Sequence, residues 1–172
     1  MIAFSPGDAH ATSQPAPDPP ATFEYETPLY VAGSVTESAQ RNAPHLLSCL
    51  AKAPLARIPR YGPEVSIVPI SPASGTPVRY GRTNAHCSVV FNLPDSARIE
   101  VMAGASAQSL QPGESLVFDP SFGIAYLNAG DAAARLLVFD IWHPQLSTLE
   151  CDGLTALIQA IVDFDTRLQE LA

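Results

Sequence analysis

The chain is short of charge, of cysteine and of long apolar runs, and each shortage removes a class of protein. Charged residues make up 15% of it, and 9 Lys and Arg against 17 Asp and Glu leave a net charge of −8. Binding to a phosphate backbone needs a basic face, so no nucleic-acid partner is expected. The three cysteines, Cys49, Cys87 and Cys151, are odd in number and widely scattered, with no CxxC among them. Neither a disulfide framework nor a structural zinc site follows, and reduced thiols in a cytoplasm are the simpler reading. No apolar run approaches the roughly 18 residues of a membrane helix, and no charged stretch precedes an apolar core at the start, so neither a membrane partner nor export is expected.

What is present is an ordinary globular composition: 172 residues, 47% of them hydrophobic. That is enough for one domain with one core. Residues 1–21, MIAFSPGDAHATSQPAPDPPA, are rich in Pro and Ala without hydrophobic periodicity and read as a flexible arm. Residues 22–172 then form a single domain. Phe23 to Val31 supplies an entering strand in which Pro28 favours an edge. Ser34 and Glu37 have capping-box spacing ahead of a helical stretch to Lys52, which Pro44 divides in two.

A succession of short strands follows. EVSIVPI (Glu64–Ile70), CSVVFNL (Cys87–Leu93), Arg98–Met102, Ser115–Phe118 and Arg135–Ile141 are separated by turn signals such as Pro112-Gly113, the pattern of a small β-barrel or sandwich. The last two runs flank an Ala-, Asn- and Gly-rich turn and read as a hairpin facing the barrel interior. Ser147 and Glu150 form a second capping box. Beyond it Leu154, Leu157, Ile158, Ile161, Phe164, Leu168 and Leu171 share one face of a C-terminal helix (about 153–171), which packs on the barrel or against a partner subunit.

Two segments carry a resemblance. GTPVRYGRTNAHCSVVFNL (Gly75–Leu93) is similar to the GTxIxPHxGxTNxxLRxHLxL pattern of the aspartyl/asparaginyl β-hydroxylase family. FDPSFGIAYLNAGDAAARLLVFDIWHP (Phe118–Pro144) resembles that family's closing half, with Asp119, Ser121, Phe122, Asn128, Arg135, Asp140, Trp142 and His143 matching. The resemblance implies a mainly β fold, a double-stranded β-helix of the cupin-like, jelly-roll kind with flanking N-terminal and C-terminal helices. It also implies an iron- and 2-oxoglutarate-dependent oxygenase ancestry. The departures fall where that chemistry belongs. The two iron-binding histidines of the pattern fall on Arg79 and Ile124, and the Arg and His facing 2-oxoglutarate fall on Ser88 and Val90. A guanidinium stays protonated and a hydrocarbon has no lone pair, so neither iron nor 2-oxoglutarate is expected as a cofactor.

Carrying over the family's inward-pointing positions, with strand alternation, the resemblance implies what remains in the pocket. His86, Ser88 and Val90 share one inward face, Ile124 and Tyr126 another, and Arg79 and Arg135 look in from either side, with Glu100 as an internal acid to pair them. Asp119, Asp140, Trp142 and His143 read as structural. The favoured function is a metal-independent isomerase, lyase or cyclase acting on a small anionic molecule. Arg79 is its cation, His86 or Tyr126 moves a proton, and Ser88, Val90, Ile124, Glu100 and Arg135 hold the substrate. Two alternatives stand beside it: an oxygenase with non-standard ligands, and a non-catalytic module that binds a ligand or partner. A homodimer through the C-terminal helix is compatible with each.

Overall fold

A computed structural model describes residues 26–81 and 83–170. The arm expected at 1–21, Phe23 of the entering strand and Leu171 of the last helix lie outside the described residues. Strand β1 (Thr27–Val31) turns through Ala32 and Gly33 into β2 (Ser34–Val35). Only glycine fits at 33. Its φ is +79°, and a Cβ there would sit 2.6 Å from the carbonyl oxygen of Gly62. Ser34 is still in the ladder, so the helix is capped two residues later than its spacing suggested. Thr36 accepts from the Ala39 amide at 3.1 Å and opens α1 (Glu37–Asn42). Pro44 divides the helical stretch as expected, taking the first position of α2 (Pro44–Leu50), where its missing N–H has no partner to lose.

Eight further strands follow: β3 (Val65–Ile70), β4 (Ser74–Gly75), β5 (His86–Asn92), β6 (Ile99–Ala103), β7 (Ser106–Leu110), β8 (Ser115–Phe118), β9 (Ile124–Asn128) and β10 (Ala134–Trp142). They form a six-stranded sheet, β2-β1-β3-β10-β5-β8, and a four-stranded sheet, β4-β9-β6-β7. The runs at Ser115 and Arg135 are therefore not a hairpin. β8 and β10 flank β5 on opposite sides, and β9, between them in sequence, crosses to the other sheet. Antiparallel strands alternating between two facing sheets make a double-stranded β-helix, with the helices outside it.

Register decides which side chains meet. On β10, Ala134, Leu136 and Val138 point between the sheets, where they join Ile70, Val90, Ile99 and Val101. Leu137 and Phe139 point the other way, onto a second cluster with Leu29, Leu50, Leu55 and Val65. Burying side chains of this kind stabilises by about 1.5–3 kcal/mol each. Leu46 and Leu47 of α2 pack against this second cluster, so the large sheet is covered on both faces. That double covering is why SVVF and ARLLVF read as nearly continuous apolar runs rather than alternating ones.

After Trp142 the Ser147–Glu150 capping box forms as its spacing predicts. The Ser147 hydroxyl accepts from the Glu150 amide at 3.3 Å, and the Glu150 carboxylate accepts from the Ser147 amide at 2.8 Å. The Ser147 hydroxyl also donates to the Glu150 carboxylate at 2.7 Å, and this bond, then the one from the Ser147 amide, holds the Glu150 carboxyl below its ordinary value. Helix α3 (Thr148–Glu170) follows, and none of its described residues is buried. Leu154, Ile158 and Val162 are half-buried on one face, and Asp163 pairs with Arg60. No helix among the described residues is long and apolar enough to cross a membrane.

Candidate functional site

Polar side chains converge at the end of the barrel where β5 starts and β10 finishes. His86 and Ser88 are inward on β5 and both buried. Asp140 is inward on β10, opposite Ser88 in the ladder. The Ser88 hydroxyl donates to Asp140 Oδ1 at 2.7 Å. His86 Nε2 lies 3.7 Å from Asp140 Oδ2, beyond a hydrogen bond but within ion-pair reach of an imidazolium. One carboxylate thus sits between a hydroxyl and an imidazole.

These groups line a cavity of about 190 Å³ whose wall also includes Tyr126, Ile124 and Arg79. A second cavity of about 140 Å³, reaching Ser66 and Val68 on β3, shares Glu64, Arg79, Ile124, Tyr126 and Asp140 with it. Burial pushes the Tyr126 phenol well above its ordinary value; Arg79 opposes this and Asp140 and Glu26 reinforce it. Tyr126 is therefore a neutral donor, never a phenolate, at any physiological pH.

Arg79 and Ile124 sit side by side. Each amide donates to the other's carbonyl at 2.8 Å, so the two positions where the resemblance puts metal ligands are neighbours at the cavity mouth. The Arg79 guanidinium is 3.0 Å from the Glu26 carboxylate, with its side chain 64% exposed. Beside it Val78, Tyr80 and Phe122 form an exposed apolar rim. Gly123 permits this packing, since a Cβ there would approach Val78 Cγ1 to 2.7 Å and the Tyr80 ring to 3.0 Å.

The residues singled out in the sequence divide cleanly. His86, Ser88, Ile124, Tyr126 and Arg79 meet at this cavity. Val90 is on the same inward face but fully buried in the inner core, below the cavity. Two expectations are corrected. Arg135 does not look into the barrel. It is out of phase with inward Leu136, pairs with Asp95, and stands five residues from Asp140 along β10, roughly 17 Å at the rise of a strand. Glu100 is likewise out of phase with inward Ile99 and Val101, and sits on the outer face near Arg98 at 3.9 Å. The acid beside Arg79 is Glu26 instead.

Asp140 is the residue that sequence reasoning misses by reading it as structural. Its phase with Leu136 and Val138 was the available signal. Asp119 does play the structural part expected of it. It accepts from the Ser121 amide at 2.9 Å, and this bond, with His143 and His86 nearby, holds its carboxyl below the usual range. Burial, then Asp119, raises the Cys87 thiol.

The donor set does not fit iron. The two expected ligand positions offer a guanidinium and a hydrocarbon, and no group of three His, Cys, Asp or Glu among the described residues is arranged to hold a metal.

The chain is similar to several solved cupins. A Cupin_2 domain of an XRE family transcriptional regulator from Enterobacter cloacae is 12% identical over 47% of this chain and 82% of that one, with a TM-score of 0.42. A cupin protein from Bacteroides fragilis is 22% identical over 52% and 75%, at 0.43. A cupin-superfamily sugar phosphate isomerase from Silicibacter pomeroyi is 20% identical over 48% of this chain and 52% of that one, at 0.39. No curated protein matches. The sequence profile of aspartyl/asparaginyl beta-hydroxylase matches residues 22–144. The chain belongs to the aspartyl/asparaginyl β-hydroxylase family.

Proposed function

We propose that the cavity carries out metal-independent acid–base chemistry, of the isomerase, lyase or cyclase type, on a small anionic molecule with an enolisable centre. The observation that carries this is the Asp140 carboxylate, bonded to Ser88 and facing His86, across one cavity from the neutral phenol of Tyr126. A base and a hydrogen-bond donor thus face a shared space, which is what abstraction of a proton beside a carbonyl requires.

In this reading Arg79 binds the substrate carboxylate in place of Glu26. His86 removes the proton, and the Asp140 carboxylate at 3.7 Å stabilises the imidazolium that forms. The Tyr126 phenol donates to the enolate oxygen while keeping its own proton, because burial makes its ionisation costly. Returning the proton to a different carbon completes an isomerisation with no change in oxidation level and no co-reactant. Ile124 and Val138 keep the reacting carbon dry.

The test is deuterium exchange, followed by NMR in D₂O, across a panel of 2-oxo and 3-oxo carboxylates in the presence of chelator. Exchange should persist without added metal and fall about 10²- to 10⁴-fold in Asp140→Asn and His86→Ala. Turnover only with Fe(II) and 2-oxoglutarate would overturn the proposal. A second reading, a non-catalytic partner of another protein, draws support from the exposed stripe on α3. Folded protein that exchanges none of the panel while binding its members would favour it.

A further inference from the structure

Helix α3 carries two apolar faces, and only one of them is half-buried within its own chain. Cys151, Leu154, Thr155, Ile158 and Val162 are the half-buried side. Leu157, Ile161, Phe164 and Leu168 stand about a third of a turn further round and are 58%, 51%, 62% and 51% exposed. Their spacing of 4, 3 and 4 residues is that of a coiled-coil seam, with Leu157 and Phe164 at d positions and Ile161 and Leu168 at a. A surface helix needs one stripe facing its core, and a second stripe in heptad phase is cut to the geometry of another helix.

We infer that this seam closes on the same seam of a second copy, as an antiparallel two-helix contact about a twofold axis between Ile161 and Phe164. That arrangement places Leu157 against the partner's Leu168 and Ile161 against the partner's Phe164, each d residue meeting an a residue. The stripe is therefore complementary to itself, as a twofold interface must be. Its flanks add no like-charge contact. Asp165 and Arg167, the charged residues beside the seam, lie on opposite flanks and meet the partner's Ile158 and the partner's Ala160 respectively. The four side chains and their neighbours would remove on the order of 1,200 Å² from water in total, the lower end of the range for stable interfaces. The net charge of −8 on each copy opposes association at long range, so added salt strengthens it.

The contact also reaches the cavity. Asp163 on α3 pairs with Arg60, and residues 58 and 61–63 of that loop line the cavity wall. The partner copy thus braces the helix that braces the wall.

Sedimentation of the full chain across the low to high micromolar range should show a monomer–dimer equilibrium that tightens with salt. Ile161→Glu should weaken it about 100-fold while the circular dichroism spectrum stays folded. Leu157→Cys combined with Leu168→Cys gives an arm that does not depend on tolerating a buried charge. Under mild oxidation it should yield a covalent dimer whose peptide map joins position 157 of one chain to 168 of the other. A chain that stays monomeric throughout, a Leu157→Cys single variant that links 157 to 157, or a dimer unaffected by Ile161→Glu would each overturn the inference.

Discussion

The two ends of the barrel bury polar groups for opposite purposes. At the end away from the cavity Asn92 and Asn128 are both fully buried. The Asn128 side chain donates to the carbonyls of Ile70, Ser71 and Ala132 at 2.8–3.2 Å and accepts from the Gly130 amide at 3.0 Å. Asn92 donates to Ala97 and Leu110. These amides tie loops to strand ends and point at backbone. At the cavity end His86, Ser88 and Asp140 point at one another and at open space. The amides at one end hold the fold together, and the residues at the other are available to a ligand. Asn128 matches the family pattern, whereas Arg79, Ser88 and Ile124 do not. Asp140 matches it too, so agreement with the pattern does not by itself separate the two ends; what separates them is whether the side chains point at backbone or at the cavity.

That contrast can be broken by experiment. The largest effect should come from Asn128→Ala, which strands three carbonyls and an amide in the interior. A loss of about 3 kcal/mol or more is expected in denaturant unfolding, and a loss below about 1 kcal/mol would erase the distinction. Leu136→Ala, in the inner core at 0% exposure, should cost about 2–4 kcal/mol. At the cavity end Ser88→Ala should cost no more than about 1 kcal/mol, the net value of one hydrogen bond.

Tyr126 sharpens the comparison through pH. Its folded ionisation lies above the ordinary value of 10, so the fold favours the neutral phenol. Stability is intact below that ordinary value and falls as pH rises from there towards the folded one. Tyr126→Phe should remove this alkaline loss and the last phenol transition in a tyrosinate absorbance titration, at little cost near neutrality. The smallest effect belongs to Glu150→Gln at the start of α3. The Glu150 carboxyl is lowered from 4.5 by Ser147, so its contribution is present above that pH and fades as pH falls below it. Circular dichroism should show slight fraying of α3 in acid, absent from the variant.

Much of this was legible in the chain because local rules and tertiary demands agree. The Ser147–Glu150 box and the break at Pro44 follow from spacing alone, whereas the single apolar face expected of the last helix divides into a half-buried side with Leu154 and Ile158 and an exposed one with Leu157, Ile161, Phe164 and Leu168. The hairpin reading failed because proximity in sequence says nothing of which sheet takes the intervening segment, and Ile124–Asn128 crosses over. Ser34 has capping chemistry, yet it is spent in a ladder with Val31. The site was legible where phase could be anchored. His86, Ser88 and Val90 alternate within one strand, so placing one places all. The resemblance puts Arg135 inside and Glu100 follows as its counter-charge, although Leu136 and Val101 beside them already claim the inward phase. The same anchor would have brought Asp140 in. What spacing could not supply was distance along the strand, which separates Arg135 from the cavity.

Strand β10 is a party wall. Every other side chain furnishes the room that holds the ligand site, and those between them furnish the room under α1 and α2, so one room can be refitted without disturbing the other. A lineage could exchange imidazole for guanidinium or hydrocarbon on the ligand side while Leu137 and Phe139 kept the sheet anchored to its helices. An engineer who varies only residues in phase with Asp140 inherits the same freedom.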